Sequence, residues 1–256
     1  MRPAMIGPVV LRFLVLFGIL AAWEVVPRLG LVPQVLIAPL SATLAVGFKE
    51  ADVFAQALAL TLTEILLGLI IAYGGGGLIG LVLGAVKPLR LTILPLVSSV
   101  YAVPFVVIYP LLTAWTGIGP ESKVLFGGIY GLFPMVLATA AGVQTVDYTL
   151  IRAARSMGAN SRQILVEILV PAAFPSILSG LRLGGALVAI GVVVAEMLAA
   201  TGGLGFLITQ NRTMFRTPEV YFGIFLVLVI AGLIDIIIGL VERRLATWQP
   251  KRATLQ

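Results

Sequence analysis

Six stretches of roughly 20 or more almost uncharged residues, at 6–26, 60–86, 91–113, 124–143, 177–198 and 220–241, constrain this chain more than any other feature of it. A helix rises about 1.5 Å per residue, so ~20 apolar residues cross the hydrocarbon layer of a bilayer. Within lipid no water satisfies the peptide groups, and a helix satisfies them inside one segment. The chain is therefore predicted to be an all-α integral membrane protein with six transmembrane helices, forming one domain over 1–256 without an internal repeat. Hydrophobic residues make up 60% of it and charged residues 11%, a balance that a water-soluble core of this size would not hide. The first stretch contains Arg12, is followed by Trp23 and Glu24, and lacks a convincing small-x-small cleavage site, so it reads as a retained helix.

Cysteine and histidine are both absent. That removes a disulfide framework, a thiolate nucleophile, a Cys/His zinc site and a Ser/His catalytic pair, and an intramembrane enzyme becomes remote. The formal net charge is +6, but the 17 basic residues are scattered between apolar stretches, a pattern that orients a membrane protein rather than binds nucleic acid. With the N-terminus inside, Arg2, Arg12, Lys87, Arg90, Arg152, Arg155, Arg162, Arg243, Arg244, Lys251 and Arg252 fall on one side. Arg28, Lys49, Lys123, Arg212 and Arg216 fall on the other, and Arg182 is left within the fifth stretch. Basic loops stay cytoplasmic, so both termini are expected there.

The same bias puts the most polar segment of the chain, residues 150–171, in a long cytoplasmic loop between the fourth and fifth stretches. Ile164, Leu165, Ile168 and Leu169 recur at helical spacing, with Arg162, Gln163, Val166 and Glu167 on a more polar face. Arg152 and Arg155 stand three apart, Ala153 and Ala154 allow close backbone approach, and Gly158 breaks the run so that the chain can turn. Pro171 is expected to close the unit before the next span. Two readings of such a segment stand side by side: a helix lying in the headgroup layer, or a helix docking into the groove of a cytoplasmic partner.

Polar and breaking residues inside the spans complete the reading. Gly76, Gly80 and Gly84 repeat every four residues, which suits close helix packing better than a hinge. Pro104 and Pro110 free backbone groups that must be satisfied in the bundle interior or by cavity water, so Tyr101 and Tyr109 are candidates to line a substrate path, as is Trp115 unless it is an interfacial aromatic. Glu196 reads either as a gate or cavity contact or as an interfacial acid reaching water; Asp235 is expected to link to Arg243 or Arg244. The stretch TGGLGFLITQNRTMFRTPE reads as an ordinary solvated loop or a short apolar run that dips into the membrane, with binding-protein docking possible there. A secondary carrier or channel using Glu196 and Asp235 as proton or ion sites is the competing functional class.

The run RAARSMGANSRQILVEILVPAAFPSILSGLRLG resembles the cytoplasmic signature of ABC importer permeases, Glu-Ala-Ala, three residues, Gly, nine to twelve residues, then a hydrophobic-Pro pair. Ala153, Ala154, Gly158, Ala159 and Pro171 match it, as does the continuation through Pro175, Gly180 and Arg182, whereas Arg152 stands at the position usually filled by Glu. APLSATLAV, VPFVVIYPLLTAWTGIG and VVVAEMLAATGGLGFLI are similar to the nitrate, sulfonate and taurine group of these permeases. The resemblance implies the type I importer fold in the bacterial inner membrane and partnership with an ATPase dimer, a solute-binding protein and a second permease copy. Arg152, Ala153, Ala154, Arg155, Gly158, Ala159, Arg162 and Pro171 would couple to the ATPase, which would hold the ATP and Mg. The chain has no Gly-Lys dipeptide, hence no G-x-x-x-x-G-K-[ST] phosphate loop of its own. A small anion is the solute expected first.

Overall fold

The computed structural model describes residues 8–245. Ile6 and Gly7 of the first stretch, and Arg2, Lys251 and Arg252 of the charge distribution, lie outside the described residues. The described residues form twelve α segments: α1 (Pro8–Arg28), α2 (Leu40–Lys49), α3 (Ala51–Ile70), α4 (Gly76–Ala85), α5 (Lys87–Tyr101), α6 (Tyr109–Thr116), α7 (Pro120–Gln144), α8 (Tyr148–Ser156), α9 (Ser161–Gln163), α10 (Val170–Leu198), α11 (Leu204–Thr213) and α12 (Thr217–Leu245). Among the described residues, five continuous helical runs are long and apolar enough to cross a membrane, Val9–Arg28, Ala51–Ala85, Pro120–Gln144, Ser161–Leu198 and Thr217–Arg244.

The predicted third span departs from a straight rod. Lys87–Tyr101 and Phe105–Thr116 meet at 86°, the bend of a broken span or of a re-entrant loop. Its prolines explain the break: Pro104 precedes a short 3₁₀ turn, Phe105–Ile108, and Pro110 occupies the first turn of α6, where a missing amide hydrogen costs nothing. Two other spans are longer than their apolar cores because π turns carry the helix onward. Ile71–Gly75 joins α3 to α4, and Ile164–Leu169 joins α9 to α10. Pro171 thus does not close a unit. It sits in the first turn of α10, just past the wider π turn that frees backbone geometry around it, and the helix runs unbroken from Ser161 to Leu198.

The centre of the bundle is α7, packed between α4 and α10, and small residues bring these helices together. The Cβ positions of Gly76, Gly80 and Gly84 would collide with Met135, Thr139 and Val143 on α7 at 2.9, 2.6 and 2.6 Å. Across α7's other face, Gly191 approaches the Cα of Gly127. Lipid tails are as apolar as leucine, so such close van der Waals contact, not hydrophobic exclusion, is what holds these helices together. By contrast α1 is exposed along its apolar length and is tied down near its end. Trp23 Nε1 donates to the Ala38 carbonyl at 2.9 Å, and Glu24 accepts from the Ser41 amide at 2.9 Å. An apolar crevice of about 480 Å³, lined by residues such as Trp23, Val26, Tyr221 and Phe225, separates α1 from α12.

Candidate functional site

Past the end of α7 the chain turns at Asp147, whose carboxylate accepts from the Thr149 amide at 2.8 Å and from the Thr149 hydroxyl, capping α8. These bonds hold the Asp147 carboxyl below its usual range, the side-chain bond from Thr149 contributing most. Along α8, Ala154 turns inward and is 6% exposed, while Arg152, Ala153 and Arg155 face outward. The helix ends where Ala159 N–H reaches back to the Ala154 carbonyl at 3.0 Å, with Gly158 at φ +85°, the left-handed conformation that a residue bearing a Cβ rarely adopts. A capping box restarts the helix immediately: Gln163 N–H bonds Asn160 Oδ1 and Asn160 N–H bonds Gln163 Oε1, both at 2.9 Å.

The result is a helical elbow with its own small core of Val143, Ala154, Ile164, Leu169 and Ala173, against which Ala159 packs. Its outward surface carries three cations, Arg152, Arg155 and Arg162, beside protruding apolar side chains, Met157 above all at 82% exposure. The Arg152 guanidinium lies over the Tyr148 ring, 6.0 Å from its centre. Of the residues singled out from sequence in 150–171, Arg152, Arg155, Arg162, Ala153 and Gly158 share this exposed surface, Ala154 and Ala159 seat it, and Pro171 lies along α10 beyond it. Ser161–Leu198 is one helical run, so the elbow is continuous with a rod of about 57 Å, taking about 1.5 Å per residue.

Glu196 stands at the far end of that rod, and it does not reach water: it is 1% exposed. Its Oε1 accepts from Thr61 Oγ1 and its Oε2 from the Gly205 amide, each at 2.7 Å. Tyr109 is buried nearby on α6, its ring against Phe126 and its hydroxyl donating to the Ala199 carbonyl at 3.2 Å. Tyr101 lies apart from both, half-buried against Phe133. The stretch read as a solvated or dipping loop contains α11, whose Leu204, Gly205, Leu207 and Ile208 are buried against the bundle. Just beyond it Arg216 pairs with Glu50 and, at 2.7 Å, with Glu219, and the hydrogen bond to Glu50 raises its pKa further.

Two charged residues were missed from sequence. Glu64 lies in α3 at 1% exposure, and Lys123, counted above as a loop cation, is in the first turn of α7 at 2%. A lone acid within the apolar run LTLTEILLGLI was the available signal for Glu64, since ionisable groups in spans are costly and need partners. Asp235, expected to meet Arg243 or Arg244, instead pairs across the bundle with Arg182 at 3.0 Å, and Arg182 also bonds Glu242 at 3.2 Å.

Comparison with known proteins agrees with this architecture. The permease SsuC of Bacillus subtilis (strain 168), described as a putative aliphatic sulfonates transport permease, is 31% identical over 235 residues, covering 90% of this chain and 84% of its own. The taurine transport system permease protein TauC of Escherichia coli (strain K12) is 36% identical over 202 residues, 79% of this chain and 73% of its own. Among solved structures, an inward-facing conformation of the MetNI methionine ABC transporter superposes with a TM-score of 0.66 at 19% identity, over 77% of this chain and 98% of that one, and so shares the fold. Residues 65–247, which include the elbow, the rod and Glu196, match the family described as binding-protein-dependent transport system inner membrane component, and this chain belongs to that family.

Proposed function

We propose that the chain is one half of a homodimeric permease that carries a small anion of the sulfonate or taurine type, handed over by a solute-binding protein, with residues 150–171 seated in a groove of the ATPase. The observation that carries this reading is the elbow: exposed Arg152, Arg155, Arg162 and Met157 on a surface braced from behind by Ala154, Ile164 and Leu169. A headgroup-layer helix needs cations and apolar side chains, but not a capped, glycine-turned bend with a private core rooted in a transmembrane rod. Arg at position 152 calls for acids on the facing ATPase surface. With the elbow cytoplasmic, both termini are cytoplasmic as well, and Glu196 lies toward the outer face. Tyr109 and Glu196, buried as they are, act at an outer gate, and Tyr101 borders the path. ATP and Mg belong to the ATPase partner. The names of SsuC and TauC support the solute class.

The test is reconstitution in liposomes with the ATPase and binding protein encoded alongside it. The expected complex has two permease and two ATPase subunits, and uptake of a sulfonate or taurine requires both ATP and the binding protein. Uptake by this chain alone, driven by a proton or ion gradient, would establish instead a carrier using Glu196 and Asp235.

A further inference from the structure

Glu64, Lys123 and Glu196 meet from three helices, α3, α7 and α10, and each is at least 98% buried. Each Glu196 oxygen accepts one hydrogen bond, from Thr61 Oγ1 and from the Gly205 amide, which leaves acceptor capacity on both, and Thr61 Oγ1 in turn accepts from the Leu204 amide at 2.8 Å. Lys123 donates to the carbonyls of Ile118 and Gly119, both at 3.1 Å, and its Nζ stands 3.8 Å from Glu64 Oε1, an ion-pair distance but not a hydrogen bond. Glu64 is the exception: neither of its oxygens has a donor, although its carboxyl adjoins that of Glu196.

An ionised carboxylate only accepts hydrogen bonds, so two adjoining carboxylates repel and leave oxygens unsatisfied, whereas one proton between them supplies the missing donor. With both acids ionised the triad would carry a net negative charge at a deeply buried site; with one proton it is neutral. We propose that Glu64 holds this proton and through it donates a hydrogen bond to Glu196, making the triad a proton-binding latch that fastens the start of α11 to α3 and α10. Glu64 is then a positioning residue acting through Glu196. The fastening is close: a Cβ on Gly203, which sits at φ +98°, or on Gly205 would run into the Glu196 side chain. Other titratable groups facing the pair are Glu121, from α7, and Tyr109, from α6, while α11 contributes backbone amides. Losing the proton would place a second negative charge against Glu196 and loosen its hold on the Leu204–Gly205 turn.

Infrared spectroscopy of the full-length protein in lipid nanodiscs tests the proton directly, independently of what the chain transports. At neutral pH the wild type is expected to show the C=O stretch of a protonated carboxylic acid, lost in Glu64→Gln and shifted in Glu64→Asp. Hydrogen-exchange protection of the α11 amides, corrected for intrinsic rates, is expected to fall in the wild type as pH rises and to stay flat in Glu64→Gln, whose amide keeps a donor without a titratable proton. A wild type without the band overturns the proposal even if both variants misfold. A band that survives Glu64→Gln unchanged, or α11 protection with the same pH dependence in wild type and Glu64→Gln, overturns it equally.

Discussion

Thr139 leaves Gly80 no room for a side chain: a Cβ on Gly80 would lie 2.6 Å from the Thr139 Cβ and 2.8 Å from the Val136 carbonyl oxygen. Both neighbours belong to the central helix, so neither can retreat without moving α7. Gly74, only six residues earlier, has nothing within 4 Å of the same position.

Gly80→Ala is therefore expected to destabilise the protein by about 1–3 kcal/mol through overpacking, and Gly80→Val by more. Gly74→Ala should be neutral or slightly stabilising, because alanine favours helix over glycine by up to ~1 kcal/mol. Thermal unfolding midpoints in detergent separate the two; equal losses at both positions would show that the glycine repeat does not act by packing.

The elbow predicts two separable defects. Gly158 has open space around it but φ +85°, so Gly158→Val should cost about 1–2 kcal/mol in backbone strain alone and misdirect the turn between Met157 and Asn160. Replacing Arg152 and Arg155 together with Glu leaves the backbone untouched and reverses the surface charge. Both variants should insert in the membrane normally while losing ATPase copurification or uncoupling ATP hydrolysis from uptake. Normal assembly and uptake in both would return the segment to a lipid-surface role.

A third prediction concerns the Arg182 pair with Asp235 and Glu242. All three side chains are about half exposed in the single chain, so the pair in water would be worth no more than ~1 kcal/mol. Next to lipid an orphaned charge costs more than a missing pair, so Arg182→Gln alone should lower stability more than Arg182→Gln combined with Asp235→Asn. A double-mutant cycle on unfolding midpoints checks this, and strictly additive losses would show that the two side chains are not coupled.

What the sequence determined by itself is set segment by segment. Transfer of a 20-residue apolar run into lipid is a property of that run alone, so the spans over 60–86, 124–143, 177–198 and 220–241 could be read without knowing what they touch. The elbow was legible for the same reason: the Gly158 turn and the polar face of 160–169 are local, and the capping box Asn160–Gln163 lies within four residues. The glycine repeat at 76, 80 and 84 could be read as a packing face, but not which helix fills it.

Only the tertiary structure decided the partners. Thr61 and Glu196 are 135 residues apart, and nothing in either span's composition sets the rotation that brings them together, because lipid and helix interfaces are equally apolar and leave no amphipathic stripe to mark the inward face. Glu64 therefore drew no reading at all, Lys123 read as a loop cation, and Asp235 read as a neighbour of its own helix's arginines until α3, α7, α10 and α12 were set against one another. The same holds for Pro171. Proline forbids one backbone hydrogen bond, but whether the chain ends its helix or bridges the gap through a π turn depends on the packing on either side, and here Val143, Ala154 and Ala173 hold the two parts in one line.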